Sequence, residues 1–179
     1  MWAELGLATW ANAYFKQLGF TGGASSAIIV AYGCGAVLAP LTSVFWVRFF
    51  GKMRRLIIAA FFCQVPLTLI FGQIQQFEIL LGLGFVLGYV SYMVNSPLNI
   101  LITDVSGKQW AGSAIGTTNL IFQFASIICP VVVGWSVDLT GTFGFCWYIV
   151  AAGSLVGMIA MASLKIEEMA LGSVIKLTR

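Results

Sequence analysis

An all-α integral membrane protein is what this sequence predicts, and three observations carry that expectation. Of 179 residues, 60% are apolar and 8% are charged, whereas an ordinary soluble domain is about a quarter charged. The charges are clustered, and between them lie uncharged tracts of about 15 to 25 residues, enough for a hydrocarbon core about 30 Å thick. The tracts do not alternate in polarity as the strands of about 10 residues in a membrane barrel do. A helix also satisfies its own backbone hydrogen bonds inside lipid. A soluble helical core is excluded, because so few polar side chains cannot coat its surface against water.

The elements follow in chain order. The first span is Leu5 to Phe15, ending near Lys16 and Gly19, and it looks short, as though the chain begins part-way through a helix. Gly22-Gly23-Ala24-Ser25-Ser26 reads as a turn and helix start with Ser25 as a cap. The second span is Ala27 to Val47, followed by a basic loop holding Arg48, Gly51, Lys52, Arg54 and Arg55. Leu56 to Phe71 is the third span, Gln73 to Glu78 a polar turn, and Ile79 to Leu101 the fourth span. Thr103 to Trp110 reads as a loop with Asp104 and Lys108. Ala111 to Trp135 is a fifth, uncharged span, Ser136 to Gly144 a turn, and Phe145 to Leu164 the sixth span. The domain expected is a six-helix unit over 1–164 with a charged, mildly amphipathic tail over 165–179.

Basic residues set the orientation. Arg48, Lys52, Arg54, Arg55, Lys108, Lys165, Lys176 and Arg179 fall on one side and only Lys16 on the other. The basic side is therefore expected to be cytoplasmic, in a multi-pass protein of the cell membrane with both termini on that side. Met1-Trp2-Ala3-Glu4 has no basic n-region, so a signal peptide is not expected. Gly84 and Gly88, Gly112 and Gly116, and Gly153 and Gly157 are spaced to let helix backbones approach closely. Trp2, Trp46, Trp110 and Trp135 fall near span ends and read as interface anchors.

Polar groups in lipid are costly, so their placement is informative. Asn119 and Gln123 share one helical face with Ser126 near it, Asn95 and Asn99 share another, and Trp10, Asn12 and Tyr14 sit together in the first span. Amides donate and accept, which suits the hydroxyl and carboxylate groups of a small polar solute. Tyr32 is a further cavity candidate. Helix-to-helix hydrogen bonding is the plain alternative for each of these residues. Pro97 and Pro130 remove backbone donors and are expected to kink their spans, either as gates or as static curvature. Glu4 is the only acid that could lie within a span. No cofactor or metal is called for: Cys34, Cys63, Cys129 and Cys146 form no CxxC pair, and their expected role is as small buried hydrophobes. The absence of histidine excludes Ser-His and Cys-His catalysis, so no enzyme is expected. The net charge of +3 comes from basic residues beside helix ends and is no nucleic-acid footprint.

Three pieces of this chain resemble the C-terminal half, helices seven to twelve, of a major facilitator superfamily transporter. Arg48-x-x-Gly51-Lys52-x-Arg54-Arg55 is similar to the family's D-R-x-G-R-R loop, with Val47 in place of the aspartate and one residue inserted before the glycine. Pro130-x-x-x-Gly134-x-x-x-Asp138-x-x-Gly141 is the second piece, and Asn119 upstream of it is the third. Together they resemble the anion:cation symporter branch, where helix seven carries W-L-P-T-Y; here the match is Trp10-Ala-Asn12-Ala-Tyr14. The resemblance implies one half of a fold built of 3+3 inverted repeats. It implies symport of an organic anion or sugar acid by alternating access, with the bilayer and an N-terminal six-helix half or a second copy as partners. A truncated, non-transporting membrane subunit is the alternative.

Overall fold

The computed structural model describes residues 1–164, and every regular element among them is an α-helix. These are α1 (Trp2–Gln17), α2 (Gly22–Phe50), α3 (Met53–Phe71), α4 (Phe77–Met93), α5 (Asn95–Thr140) and α6 (Cys146–Ser163). The expected cytoplasmic tail over 165–179 lies outside the described residues.

Four helical segments among the described residues are long and apolar enough to cross a membrane, not six: Gly22–Phe50, Met53–Phe71, Phe77–Thr140 and Cys146–Ser163. Two features account for the difference. Helix α1 has 16 residues, about 24 Å at 1.5 Å per residue, short of a hydrocarbon core of about 30 Å. The stretch Thr103 to Trp110, expected to be a loop, is helical except at Gly107. The backbone of Gly107, at φ 73° and ψ 161°, lies in a region essentially reserved for glycine. One residue thus takes the place of the expected loop. The 64-residue segment would measure about 96 Å if straight, so Gly107 divides a stretch far longer than one crossing needs.

Helix ends follow local chemistry. Thr21, not Ser25, caps α2: its hydroxyl accepts from the Ala24 N–H at 3.4 Å, while buried Ser25 donates back to the Thr21 carbonyl at 3.1 Å. Gly51 ends α2 and Gly141 ends α5 in the left-handed region, at φ 71° and 69°, where a side chain would be strained. Helix α5 therefore runs through Ser136 to Thr140, which was expected to be a turn. Ser136 and Thr140 are accommodated by donating to the carbonyls of Val133 and Ser136.

The main core gathers Leu7, Phe15, Ile28, Phe71, Val133 and Trp147 from five helices. Rings fill its centre, with Tyr14 on Trp147 at 4.8 Å and Phe71 on Trp147 at 5.3 Å. The glycine pairs divide into three kinds. A side chain on Gly88 would strike the backbone of Tyr32, and one on Gly84 would stand 3.2 Å from the Ile28 carbonyl. This pair, facing Gly35 from across the contact, lets α2 and α4 touch backbone to backbone. Gly153 and Gly157 instead receive the rings of Trp2 and Phe61, and Gly112 and Gly116 face open space. Two of the expected interface tryptophans are therefore packing elements. Trp2 donates to the Ile149 carbonyl at 3.0 Å, and Trp46 donates to the Tyr89 hydroxyl at 2.6 Å. Trp110 and Trp135 are exposed.

At the opposite end of the bundle, Arg54 ties the start of α3 to the end of α6. Its guanidinium donates to the Met161 carbonyl at 3.0 Å and the Ala162 carbonyl at 2.6 Å. A cation there meets both the unpaired carbonyls and the negative end of the helix dipole.

Candidate functional site: a polar band across the bundle

Five helices contribute polar side chains to one band inside the bundle. Helix α1 supplies Glu4, α2 Tyr32, α3 Gln64 and Thr68, α4 Ser91 and Tyr92, and α5 Asn95. The Asn95 amide donates to the Glu4 carboxylate at 3.2 Å, and the Gln64 amide donates to the Ser91 hydroxyl at 2.9 Å. Tyr32 and Tyr92 meet edge to face with centroids 6.2 Å apart. The Tyr32 and Thr68 hydroxyls are buried with no hydrogen-bond partner among the described residues.

The Gln17, Gly22, Phe71 and Phe77 ends lie at one level, since Tyr14 donates to the Gly72 carbonyl at 2.9 Å and Phe20 packs on Phe77 at 6.4 Å.

Glu4 is the charged member and is 4% exposed. A buried ion carries a desolvation cost of several kcal/mol unless it is paired and hydrogen-bonded. Here the Met1 amino group lies 3.1 Å from one carboxylate oxygen, and Asn95 serves the other. Asn95 can reach it because the ladder is interrupted between α4 and α5. Pro97 has no N–H to give the Met93 carbonyl, and the junction falls at Val94, which keeps right-handed helical angles of φ −73° and ψ −30°. Pro130, by contrast, sits inside the continuous part of α5 that follows Gly107. Its carbonyl accepts from the Trp10 indole at 2.9 Å, and Gly134 leaves room for that ring.

The expected site residues fall into three groups. Asn95 and Tyr32 belong to the band. Trp10 and Tyr14 are engaged in packing, through Pro130 and Gly72 respectively. Asn12, Asn99, Asn119 and Gln123 are exposed, and their side chains make no hydrogen bond among the described residues. Asn119 and Gln123 lie on one face of α5 with Gly112 and Gly116, by helical spacing, and that face is uncovered in this chain. In the basic loop, Gly51 is a helix stop and Arg54 a clasp, while Arg48, Lys52 and Arg55 are exposed. Sequence reasoning passed over Gln64, Thr68 and Ser91. The signal for Gln64 was available: an amide inside the apolar run Leu56 to Phe71, four residues from Thr68.

The band offers amide and hydroxyl donors and one carboxylate. No Lys or Arg hydrogen bond or ion pair to these side chains is seen among the described residues. Such a set can hydrogen-bond a small polar solute and hold one positive charge or proton.

Two partial likenesses to known proteins bear on this. The chain is 36% identical over 91 residues to a probable sulfoacetate transporter, SauU, of Cupriavidus necator, covering 51% of this chain and 20% of that protein. It is 28% identical over 79 residues to monocarboxylate transporter 12-B of Danio rerio, covering 44% of this chain and 15% of that one. The chain thus spans about a fifth or less of these relatives' length. Both agree, distantly and in part, with the resemblance to major facilitator transporters, and both relatives are transporters rather than enzymes. No family model and no solved structure matches.

Proposed function

We infer that this chain forms one half of a major facilitator type secondary transporter and moves a small organic anion by alternating access. The observation that carries the reading is the 36% identity to a probable sulfoacetate transporter over half of the chain. In this reading the 64-residue segment crosses the bilayer twice, turning at Gly107, and α1 stands inside the bundle. The uncovered face of α5 with Asn119 and Gln123 meets an N-terminal half or a second copy, and the aqueous path runs between them. Exposed Asn12 and Asn99 border the path and half-buried Asn95 reaches it from the band, while Trp10, Tyr14 and Tyr32 stay in the packed interior behind it. Pro97 stands at the α4–α5 junction beside it. The ends of the chain and the basic loop lie in the cytoplasm.

The buried carboxylate of Glu4, held by the Asn95 amide, is the acidic group at which this reading places exchange of a coupling cation.

The test is uptake of radiolabelled sulfoacetate and lactate into proteoliposomes holding the chain alone or together with a six-helix N-terminal partner. Uptake is expected only with the partner, and to fall at least tenfold on Gln123→Leu. Uptake by the chain in strictly monomeric form would overturn the two-half reading.

A further inference from the structure

The corner between α2 and α3 carries a second binding feature, independent of the transport reading. Arg48, Lys52 and Arg55 are exposed there, and no carboxylate pairs with any of them among the described residues. Lys52 and Arg55 flank the start of α3, where the helix dipole is positive and cations are disfavoured. Three cations at one corner, two of them at the wrong end of a helix, have no paired carboxylate among the described residues.

The surroundings say what kind of counter-charge fits. Leu41, Phe45 and Arg48 recur at helical spacing along one face of α2, and Lys52 follows just beyond its Gly51 stop. Leu41 is 74% exposed and Phe45 78%. Phe49, 77% exposed, is stacked in a ring cluster with Trp46 at 6.0 Å and Phe50 at 5.5 Å. The cluster is held in place because Trp46 donates to the Tyr89 hydroxyl, which is also 2.6 Å from the Thr42 hydroxyl. Gly51 fixes the corner by its left-handed turn. The result is an apolar stripe about as long as an acyl chain, an aromatic collar of the kind found at a membrane interface, and three cations at its end. A soluble acidic protein matches the cations but not the stripe. A phospholipid with an anionic headgroup matches both.

We propose that the α2–α3 corner is a binding site for an anionic phospholipid, with the phosphate on Arg48, Lys52 and Arg55 and the acyl chain along Phe49, Phe45 and Leu41. The purified chain in nonionic micelles, titrated with short-chain phosphatidylglycerol, phosphatidylcholine or inorganic phosphate, tests this by counting retained lipid in native mass spectra. At about 1 kcal/mol per basic residue, phosphatidylglycerol is expected to bind on the order of a hundredfold tighter than phosphatidylcholine. The preference should weaken with added salt, and each of Arg48→Gln, Lys52→Gln and Arg55→Gln should cost about fivefold. Lys16→Gln, at the other end of the bundle, should change nothing, and Phe45→Ser should weaken the lipid without affecting any phosphate binding. Equal retention of the two lipids, an unaltered preference in the triple variant, or inorganic phosphate displacing the lipid at equal affinity would overturn the proposal.

Discussion

Asn95 shows how one amide can decide where a charge sits. Its hydrogen bond to Glu4 joins α1 to the junction ahead of α5, and removing it leaves a buried carboxylate oxygen short of a donor. Asn95→Leu is therefore expected to destabilise the bundle by about 1–3 kcal/mol, measured as thermal unfolding in micelles. Glu4→Gln keeps a polar acceptor and removes the charge, so its cost should be smaller. Because the two residues share one bond, the double variant should lose less than the sum, with a coupling of at least about 0.5 kcal/mol. Additive losses would mean that the bond contributes nothing. The importance of Asn95 could be read from an amide inside an apolar run. Its partner could not, because ninety-one positions of sequence separate them and only packing brings α1 against the α4–α5 junction.

The elements pack by two means that look alike in sequence. Gly84 and Gly88 admit a neighbouring backbone, whereas Gly153 and Gly157 admit aromatic rings. A glycine four residues from another says that room is left, but the partner element supplies what fills it. Gly35→Ala and Gly88→Ala should each prevent the close approach of α2 and α4, costing several kcal/mol or abolishing folding, since backbone cannot move aside as a flexible side chain can. Gly112→Ala faces open space and should leave unfolding within about 0.5 kcal/mol of the parent. Gel-filtration recovery and thermal unfolding in micelles separate the two outcomes. The span count went astray at the same scale. Asp104 and Lys108 suggested a loop, but charges near a membrane surface sit as comfortably on a helix, and one glycine sufficed for the turn.

At the scale of the molecule, the question is how the long segment lies in the bilayer. If it turns at Gly107 and crosses twice, Lys108 emerges on the side of Lys52 and opposite Lys16. Single cysteines at these positions, in a background with Cys34, Cys63, Cys129 and Cys146 replaced by Ala or Ser, should then label with an impermeant maleimide in two classes. Lys16 should react from one face of sealed vesicles, and Lys52 and Lys108 from the other. Labelling of Lys16 and Lys108 from the same face would refute that path.

Sequence alone determined that the chain belongs in a bilayer and folds as helices, because hydrocarbon tolerates few charges and demands that each segment satisfy its own backbone. It also marked Gly51 as a helix stop beside a basic corner, and it singled out Asn95. Only the tertiary structure decided that Glu4 is buried and held by that amide, that Gln64 and Ser91 pair beside it, and that Asn119 and Gln123 face outward. The reason is physical. Periodicity records which side of a helix is polar, but contacts between helices far apart in sequence decide whether that side meets a carboxylate, a ring or an uncovered surface.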